Sequence, residues 1–209
     1  DIVQTYPVST TRMVAGKGLY ALIEIFGALK KTGMKVRLIV CNAHANDKRE
    51  KQVISQTVGF ASSNGLNQSE LIFTSLEEEP KYELGVPREV VSDLFRLSNV
   101  FVFPSISENC SLVLLEAMLS GNLLILNDSV RSMREFGAEN ALYFRFGGVD
   151  EDGEVVYNTG KEAFYADIAK IIISELAQSK SLRASRRARQ SFNYDIIFKQ
   201  QIEPLLSEI

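Results

Sequence analysis

Short apolar runs, each bounded by turn residues, recur along the chain. They predict strands at 35–40, 71–73, 100–103 and 123–126, after a first strand near the N-terminus. In three of these runs the apolar residues are continuous rather than alternating, as is typical of strands in a parallel sheet with both faces covered by helices. We therefore expect a buried parallel sheet.

Segments with helical periodicity lie between the strands. The clearest carries apolar residues at three- and four-residue steps and ends at Lys30, Lys31 and Gly33; its apolar residues are Leu19, Leu22, Ile23, Phe26 and Leu29. Further helices are predicted at about 47–63, 87–98, 109–120, 161–178 and 194–207. The alternation predicts one α/β domain over residues 1–209, with a doubly wound parallel sheet and helices on both faces. Such sheets bind ligands beyond the carboxyl ends of their strands.

Composition narrows the possible partners. The chain has 209 residues, 45% of them hydrophobic, which is enough apolar material for a core. The net charge of −3 provides no overall positive field, so we expect no nucleic-acid partner and only local phosphate binding. Cys41, Cys110 and His44 have no metal-ligand spacing, so we expect no metal site, cofactor or disulfide.

Two features bear on location. No apolar run is long enough to span a bilayer and the first residues carry no secretory signal, which predicts a cytoplasmic protein. A group of arginines near the C-terminus leaves peripheral contact with anionic lipid open, although such runs are more often solvated helix faces: Arg183, Arg186, Arg187 and Arg189.

Two glutamates flank the predicted start of a helix after the third of these runs. Glu108 and Glu116 lie eight positions apart, about 12 Å along a helix, which is too far for a shared proton. The spacing suits two acceptors that hold separate hydroxyl-bearing parts of a long ligand, with a helix N-terminus between them facing an anion. On its own, such a pair is more often solvated.

The second candidate element is the turn between the first strand and the first helix. It carries Arg12 and Lys17, and glycines at 16 and 18. The arginine guanidinium can bind two phosphate oxygens at once, and lysine adds a point charge. Backbone amides beside the glycines add hydrogen-bond donors. The turn fits neither a Walker A motif nor a dinucleotide fingerprint, and the alternative interpretation is a solvated turn.

These elements, in this order, resemble the C-terminal domain of the group 1 (family 4) glycosyltransferases, which have a GT-B fold. The turn with Arg12 and Lys17-Gly18 is similar to the family's GRL…KG segment. The most specific match runs from Pro104-Ser105 through Glu108 to the sequence Leu-Leu-Glu-Ala-Met at 114–118, similar to the family's PS…EGFGLVLLEAM. The resemblance covers roughly residues 1–146.

The resemblance implies a retaining, metal-independent transfer of a hexose from a nucleoside diphosphate sugar. Arg12 and Lys17 would neutralise the diphosphate, Glu108 would contact a hydroxyl of the donor sugar, and Glu116 would hold the ribose. Donor contacts would also come from the loop and helix start, chiefly through backbone amides: Asn109, Cys110, Ser111, Leu112 and Val113. Catalysis would rest on Arg12, Lys17 and Glu108, without a general base from this chain.

The resemblance also implies a missing partner. We expect the chain to be the donor-binding half of a two-domain enzyme, inactive without an N-terminal acceptor-binding domain through which it could also associate with a membrane. Asn109-Cys110-Ser111 replaces the family's Gly-Phe-Gly, which keeps a second possibility open, a nucleotide-sugar-binding module without turnover. A GT-B sugar-nucleotide epimerase is the other alternative. Cys110 has no histidine near it in sequence, so we interpret it as packing against a ligand or the core rather than as a nucleophile.

Overall fold

The computed structural model describes residues 1–10, 13–14, 16–43, 48–76, 82, 84–152, 154–158, 160–177, 197–198 and 203–206, with the backbone alone at 149, 155 and 205. Six strands form two parallel three-stranded sheets, β1-β2-β3 and β4-β5-β6. Their bounds are Ile2–Ser9 (β1), Val36–Ala43 (β2), Leu71–Phe73 (β3), Val100–Phe103 (β4), Leu123–Asn127 (β5) and Ala141–Phe144 (β6). An antiparallel hairpin follows, Gly147–Val149 (β7) and Val155–Tyr157 (β8).

Side-chain amides join β1 to β4. The fully buried Gln4 donates to the carbonyl of Val102 and accepts from its amide, both at 2.9 Å. At the start of β4, the amide of Asn99 donates to the carbonyl of Val3 at 3.0 Å, and the side-chain oxygen of Asn99 accepts from the amide of Val3 at 3.0 Å. The two sheets thus form one layer in the order 3-2-1-4-5-6, the order of the Rossmann fold.

Helices connect the strands. Their bounds are Leu19–Lys31 (α1), Lys48–Ser63 (α2), Arg88–Leu97 (α3), Leu112–Leu119 (α4), Arg131–Gly137 (α5), Glu162–Leu176 (α6) and Glu203–Leu206 (α7), with short 3-10 turns at Thr74–Leu76 and Ala138–Asn140. α1 packs against α2 and α6, and α3 packs against α4. The strand order runs outwards from β1 and from β4 in opposite directions, and right-handed crossovers then place the two helix groups on opposite faces. The predicted doubly wound α/β fold is confirmed.

Local sequence fixes the first residues of α1 and α4, the two helices that begin near the switch point, where the strand order reverses between β1 and β4. Gly18 precedes α1 with a left-handed φ of 68°, and a Cβ added there would lie 2.9 Å from the Tyr157 ring and 3.0 Å from Pro104. Ser111 caps α4 by accepting a hydrogen bond from the amide of Leu114 at 3.3 Å. Both helices therefore start at the carboxyl edge of the sheet.

The core lies between the sheet and its helices. Its centre contains an aromatic group in which neighbouring ring centroids lie 5.3–6.2 Å apart: Tyr6, Phe95, Phe101 and Phe103. Tyr6 and Phe101 are fully buried. Because these rings come from β1, α3 and β4, they pack together the two halves of the sheet at the switch point.

Several elements differ from the sequence-based expectation. Helix α4 begins at Leu112 and not near 109, because Ser111 has the extended backbone of a cap, so Glu108 lies in the preceding loop. The pattern missed α5, β6 and the β7–β8 hairpin, whose strands of three and four residues are too short for a clear period. The helix predicted at about 194–207 falls mostly outside the described residues, apart from α7.

Candidate functional site

Two loops meet at the carboxyl edge of the sheet, where the strand order reverses between β1 and β4. The turn at Gly16–Gly18 follows β1, and the loop at Pro104–Glu108 follows β4. The carbonyl of Gly16 lies 3.2 Å from the Ser105 hydroxyl and accepts from the amide of Ile106 at 3.5 Å. Crevices at such switch points are the usual ligand sites of open α/β sheets.

An ion pair joins the two loops. The Lys17 ammonium contacts Oε1 of Glu108, and the two side chains are only 22% and 11% exposed. The Ser105 hydroxyl donates to the same oxygen at 2.8 Å. No described residue donates a hydrogen bond to Oε2 of Glu108. Sequence reasoning thus named two residues that the fold brings together, and among the described residues only Oε1 of Glu108 is engaged.

The backbone of Glu108 is fixed from the neighbouring helix. The hydroxyl of Ser132, in the first turn of α5, donates to the carbonyl of Glu108 at 2.7 Å. The loop of Glu108 is therefore held between the turn after β1 and the start of α5.

The start of α4 presents polar backbone groups beside this pair. No described residue accepts a hydrogen bond from the amides of 110–113, which is the arrangement from which helix N-termini bind anions. The side chains of Asn109, Cys110 and Leu112 are exposed, and Val113 is half-buried. Packing of Cys110 in the core is therefore wrong, because its thiol lies at the surface.

Glu116 lies apart from Glu108. It belongs to α4, its side chain is 35% exposed, and Oε1 lies 3.9 Å from a guanidinium nitrogen of Arg88 at the start of α3. It lines a groove of about 500 Å³ between α3 and α4. The two carboxylates therefore do not share one helix face: Glu108 meets the β1 turn, and Glu116 faces α3.

Other predicted residues lie outside the described part of the chain. These are Arg12, His44 and the arginines at 183, 186, 187 and 189. Their roles stay predictions.

Comparison with known families decides the classification. Residues 4–191 match the family described as Glycosyl transferases group 1. The chain belongs to this family. The resemblance inferred from the Pro-Ser…Glu…Leu-Leu-Glu-Ala-Met stretch is thereby confirmed. A comparison with curated protein sequences gave no significant match.

Solved structures share the fold of this group 1 chain. HepE from Anabaena, solved in complex with UDP, is 18% identical, with a TM-score of 0.66 over 100% of this chain and 49% of its own. A trehalose 6-phosphate synthase from Burkholderia multivorans is 16% identical, with a TM-score of 0.68 over 99% of this chain and 42% of its own. The C-terminal domain of the glycosyltransferase LpcC from Francisella tularensis is 16% identical, with a TM-score of 0.60 over 95% of this chain and 85% of its own. The chain thus spans less than half of the first two proteins and most of an isolated C-terminal domain.

Two tyrosines beneath the site of this group 1 chain were missed by sequence reasoning. The fully buried Tyr6 donates to the carbonyl of Lys17 at 2.5 Å. Burial raises the pKa of Tyr6 well above its usual value, and Tyr157 and Glu108 add to the effect, so Tyr6 stays a proton donor. Tyr157 reaches Gly18 from the hairpin, and its buried hydroxyl has no hydrogen-bond partner among the described residues. Neither tyrosine lies in a recognisable motif.

The two tyrosines make a matched pair for substitution. Tyr6→Phe is expected to lower the free energy of unfolding by about 1 kcal/mol, because it removes a hydrogen bond and leaves the carbonyl of Lys17 without that donor. Tyr157→Phe is expected to raise it by about 1 kcal/mol, because it removes a buried hydroxyl without a partner. Urea unfolding of both variants measures the difference, and equal losses would contradict it.

The described residues contain no group of three or more His, Cys, Asp and Glu side chains that could hold a metal ion. None of their helices combines the length and apolar character that crossing a membrane requires. The expectation of metal-independent chemistry stays a prediction.

Proposed function

We propose that this chain is the donor-binding C-terminal domain of a retaining, metal-independent GT-B hexosyltransferase that uses a nucleoside diphosphate sugar. The observation that carries the proposal is the meeting of Lys17 and Glu108 across the switch point, beside the free amides that begin α4. Family membership and the likeness to HepE, solved with UDP, support it.

The proposed diphosphate subsite combines three sources of positive charge. Lys17 supplies an ammonium, the start of α4 supplies amides at 110–113, and Arg12 is added from the sequence motif. Breaking the glycosyl-phosphate bond develops negative charge on the leaving diphosphate, and fixed cations and amide donors in a partly buried site stabilise that charge. Lys17 and Arg12 would act on the leaving group without taking a proton.

The proposed sugar and ribose subsites lie on either side of the phosphates. Oε2 of Glu108 is available to accept a hydrogen bond from a sugar hydroxyl. Glu116, at the groove between α3 and α4, would accept hydrogen bonds from the ribose. The residues between them, at 109–113, would line the link from sugar to nucleoside. No general base is assigned in this chain.

The acceptor would come from a second domain. The chain matches 85% of the isolated C-terminal domain of LpcC but under half of HepE, which supports an N-terminal acceptor-binding partner in the complete enzyme. We expect the chain alone to bind nucleotide weakly and to transfer no sugar. Transfer of radiolabelled sugar by this chain alone would contradict the assignment.

Calorimetry with UDP-glucose, UDP-N-acetylglucosamine, GDP-mannose and ADP-glucose tests donor binding. At least one is expected to bind, and Arg12→Ala and Glu116→Ala are each expected to weaken it. Each loses hydrogen bonds that involve a charged group, worth about 1.5–3 kcal/mol, so the affinity should fall roughly ten- to hundredfold.

Two variants control for general loss of charge. Arg37→Ala removes an exposed arginine from the early part of β2, and Glu162→Ala removes an exposed glutamate from α6; both are expected to bind like the unmodified chain. The proposal fails if no nucleotide binds, or if Arg12→Ala leaves the affinity unchanged at low salt.

A further inference from the structure

The side chain of Glu108 is held by two different contacts, an ion pair and a hydrogen bond. Lys17 contacts Oε1 through a long side chain, and Ser105 donates to the same atom from a fully buried position. Under the proposed function, on which this inference rests, Lys17 must also bind the diphosphate. When it does so, Ser105 is the remaining donor to this carboxylate among the residues that the structure describes.

The Ser105 hydroxyl has one proton and three possible acceptors. Oε1 of Glu108 lies at 2.8 Å, the carbonyl of Gly16 at 3.2 Å and the carbonyl of Ser107 at 3.4 Å. A hydrogen bond to a charged acceptor is shorter and about twice as strong as a neutral one. The proton therefore goes to Glu108.

The backbone of Ser105 is itself held by a side chain from β5. The side chain of Asn127, fully buried at the end of β5, donates to the carbonyl of Ser105 at 3.1 Å and to that of Gly147 at 3.3 Å. Its oxygen accepts from the amides of Phe146 and Ser129, each at 3.3 Å. The position of Ser105 is thus tied to the end of β5 and the start of β7, and does not depend on where the Lys17 side chain lies.

We propose that Ser105 is a positioning residue: its hydroxyl holds Oε1 of Glu108 so that Oε2 faces the donor sugar, before and after Lys17 moves to the diphosphate. Ser105 does not touch the sugar itself. It determines the direction in which the carboxylate presents its free oxygen, and it therefore contributes to the recognition of the sugar and not of the nucleotide.

The test compares two affinities of the same protein. Calorimetry on the 209-residue chain gives the ratio of the affinity for the tightest-binding nucleotide sugar of the panel to that for its nucleoside diphosphate. Ser105→Ala is expected to reduce this ratio roughly tenfold, the size of one charge-assisted hydrogen bond, and to leave diphosphate binding within about twofold. Ser105→Cys keeps the shape of the side chain with a slightly larger atom and is a poor donor, so it should lower the ratio in the same way if the alanine variant folds badly.

A serine in the same loop supplies the control. Ser107 is exposed and its hydroxyl makes no hydrogen bond to a described residue, so Ser107→Ala should keep the full ratio. The inference is overturned if both Ser105 variants keep the ratio, or if they weaken sugar nucleotide and diphosphate equally, as a purely structural role would. If the unmodified chain binds no nucleotide, the proposed function fails first; if it binds nucleotides without preferring the sugar form, only the sugar-facing roles of Glu108 and Ser105 fail.

Discussion

Replacing Gln4 by alanine is expected to lower the free energy of unfolding by about 4 kcal/mol, the largest effect on stability predicted for this chain. Gln4 and Val102 are both fully buried and exchange two hydrogen bonds of 2.9 Å between β1 and β4. Alanine leaves the amide and the carbonyl of Val102 unpaired away from water, at about 1–3 kcal/mol each, and opens a cavity. Urea unfolding followed by circular dichroism measures the loss.

A second substitution separates the hydrogen bonds from the cavity. Gln4→Met nearly keeps the volume and removes both hydrogen bonds, so most of the loss should remain. Arg37→Ala, on the exposed side of β2, should change the free energy by less than about 0.5 kcal/mol. A loss of less than 1 kcal/mol for both Gln4 variants would show that β1 and β4 are held together by their aromatic packing instead.

The sequence pattern was sufficient to predict the sheet and its helices, and insufficient to predict how β1 and β4 are joined. Continuous apolar runs at 100–103 and 123–126 identified β4 and β5, because strands buried on both faces carry few polar residues. Gln4 is polar and lies in the middle of β1, where periodicity alone would place a solvent-facing residue. Its actual role depends on Val102, 98 positions away, and no local pattern encodes that pairing.

The candidate site shows the same division. Lys17 and Glu108 were identified because their motifs are local, and the fold joins them. Asn127 and Tyr6 support the site through contacts that come from tertiary packing, so a single sequence does not reveal them. The sequence also suggested that Glu108, at the mouth of the helix, and Glu116 lie on a similar face, and this failed because Glu108 meets the turn after β1 whereas Glu116 faces α3.

Substitutions of Lys17 and Glu108 should act in opposite directions on diphosphate binding, and the loss at Lys17 should be as large as any binding effect expected for this chain. Lys17→Ala is expected to weaken UDP or GDP binding roughly ten- to hundredfold, because a charge-assisted contact worth about 1.5–3 kcal/mol is lost. Glu108→Gln is expected to strengthen it a fewfold, because the competing partner of Lys17 and a negative charge beside the phosphates are both removed. Titration calorimetry on both variants gives the two values.

For binding of the nucleotide sugar, the effect of Glu108→Gln should be of opposite sign. Glu108→Gln loses the carboxylate that accepts from the sugar hydroxyl, so its preference for the nucleotide sugar over the diphosphate should fall. In the double variant the gain from Glu108→Gln should be smaller for the diphosphate, because the ammonium that it releases is absent and only the loss of the negative charge remains; this non-additivity is the signature of residues in direct contact. Lys170 is an exposed lysine of α6 paired with Asp167, so Lys170→Ala controls for net charge and should leave both affinities unchanged.

If Glu108→Gln weakened diphosphate binding as strongly as Lys17→Ala does, the ion pair would be part of the phosphate subsite rather than a competitor of the ligand. The division of roles between phosphate and sugar would then be wrong.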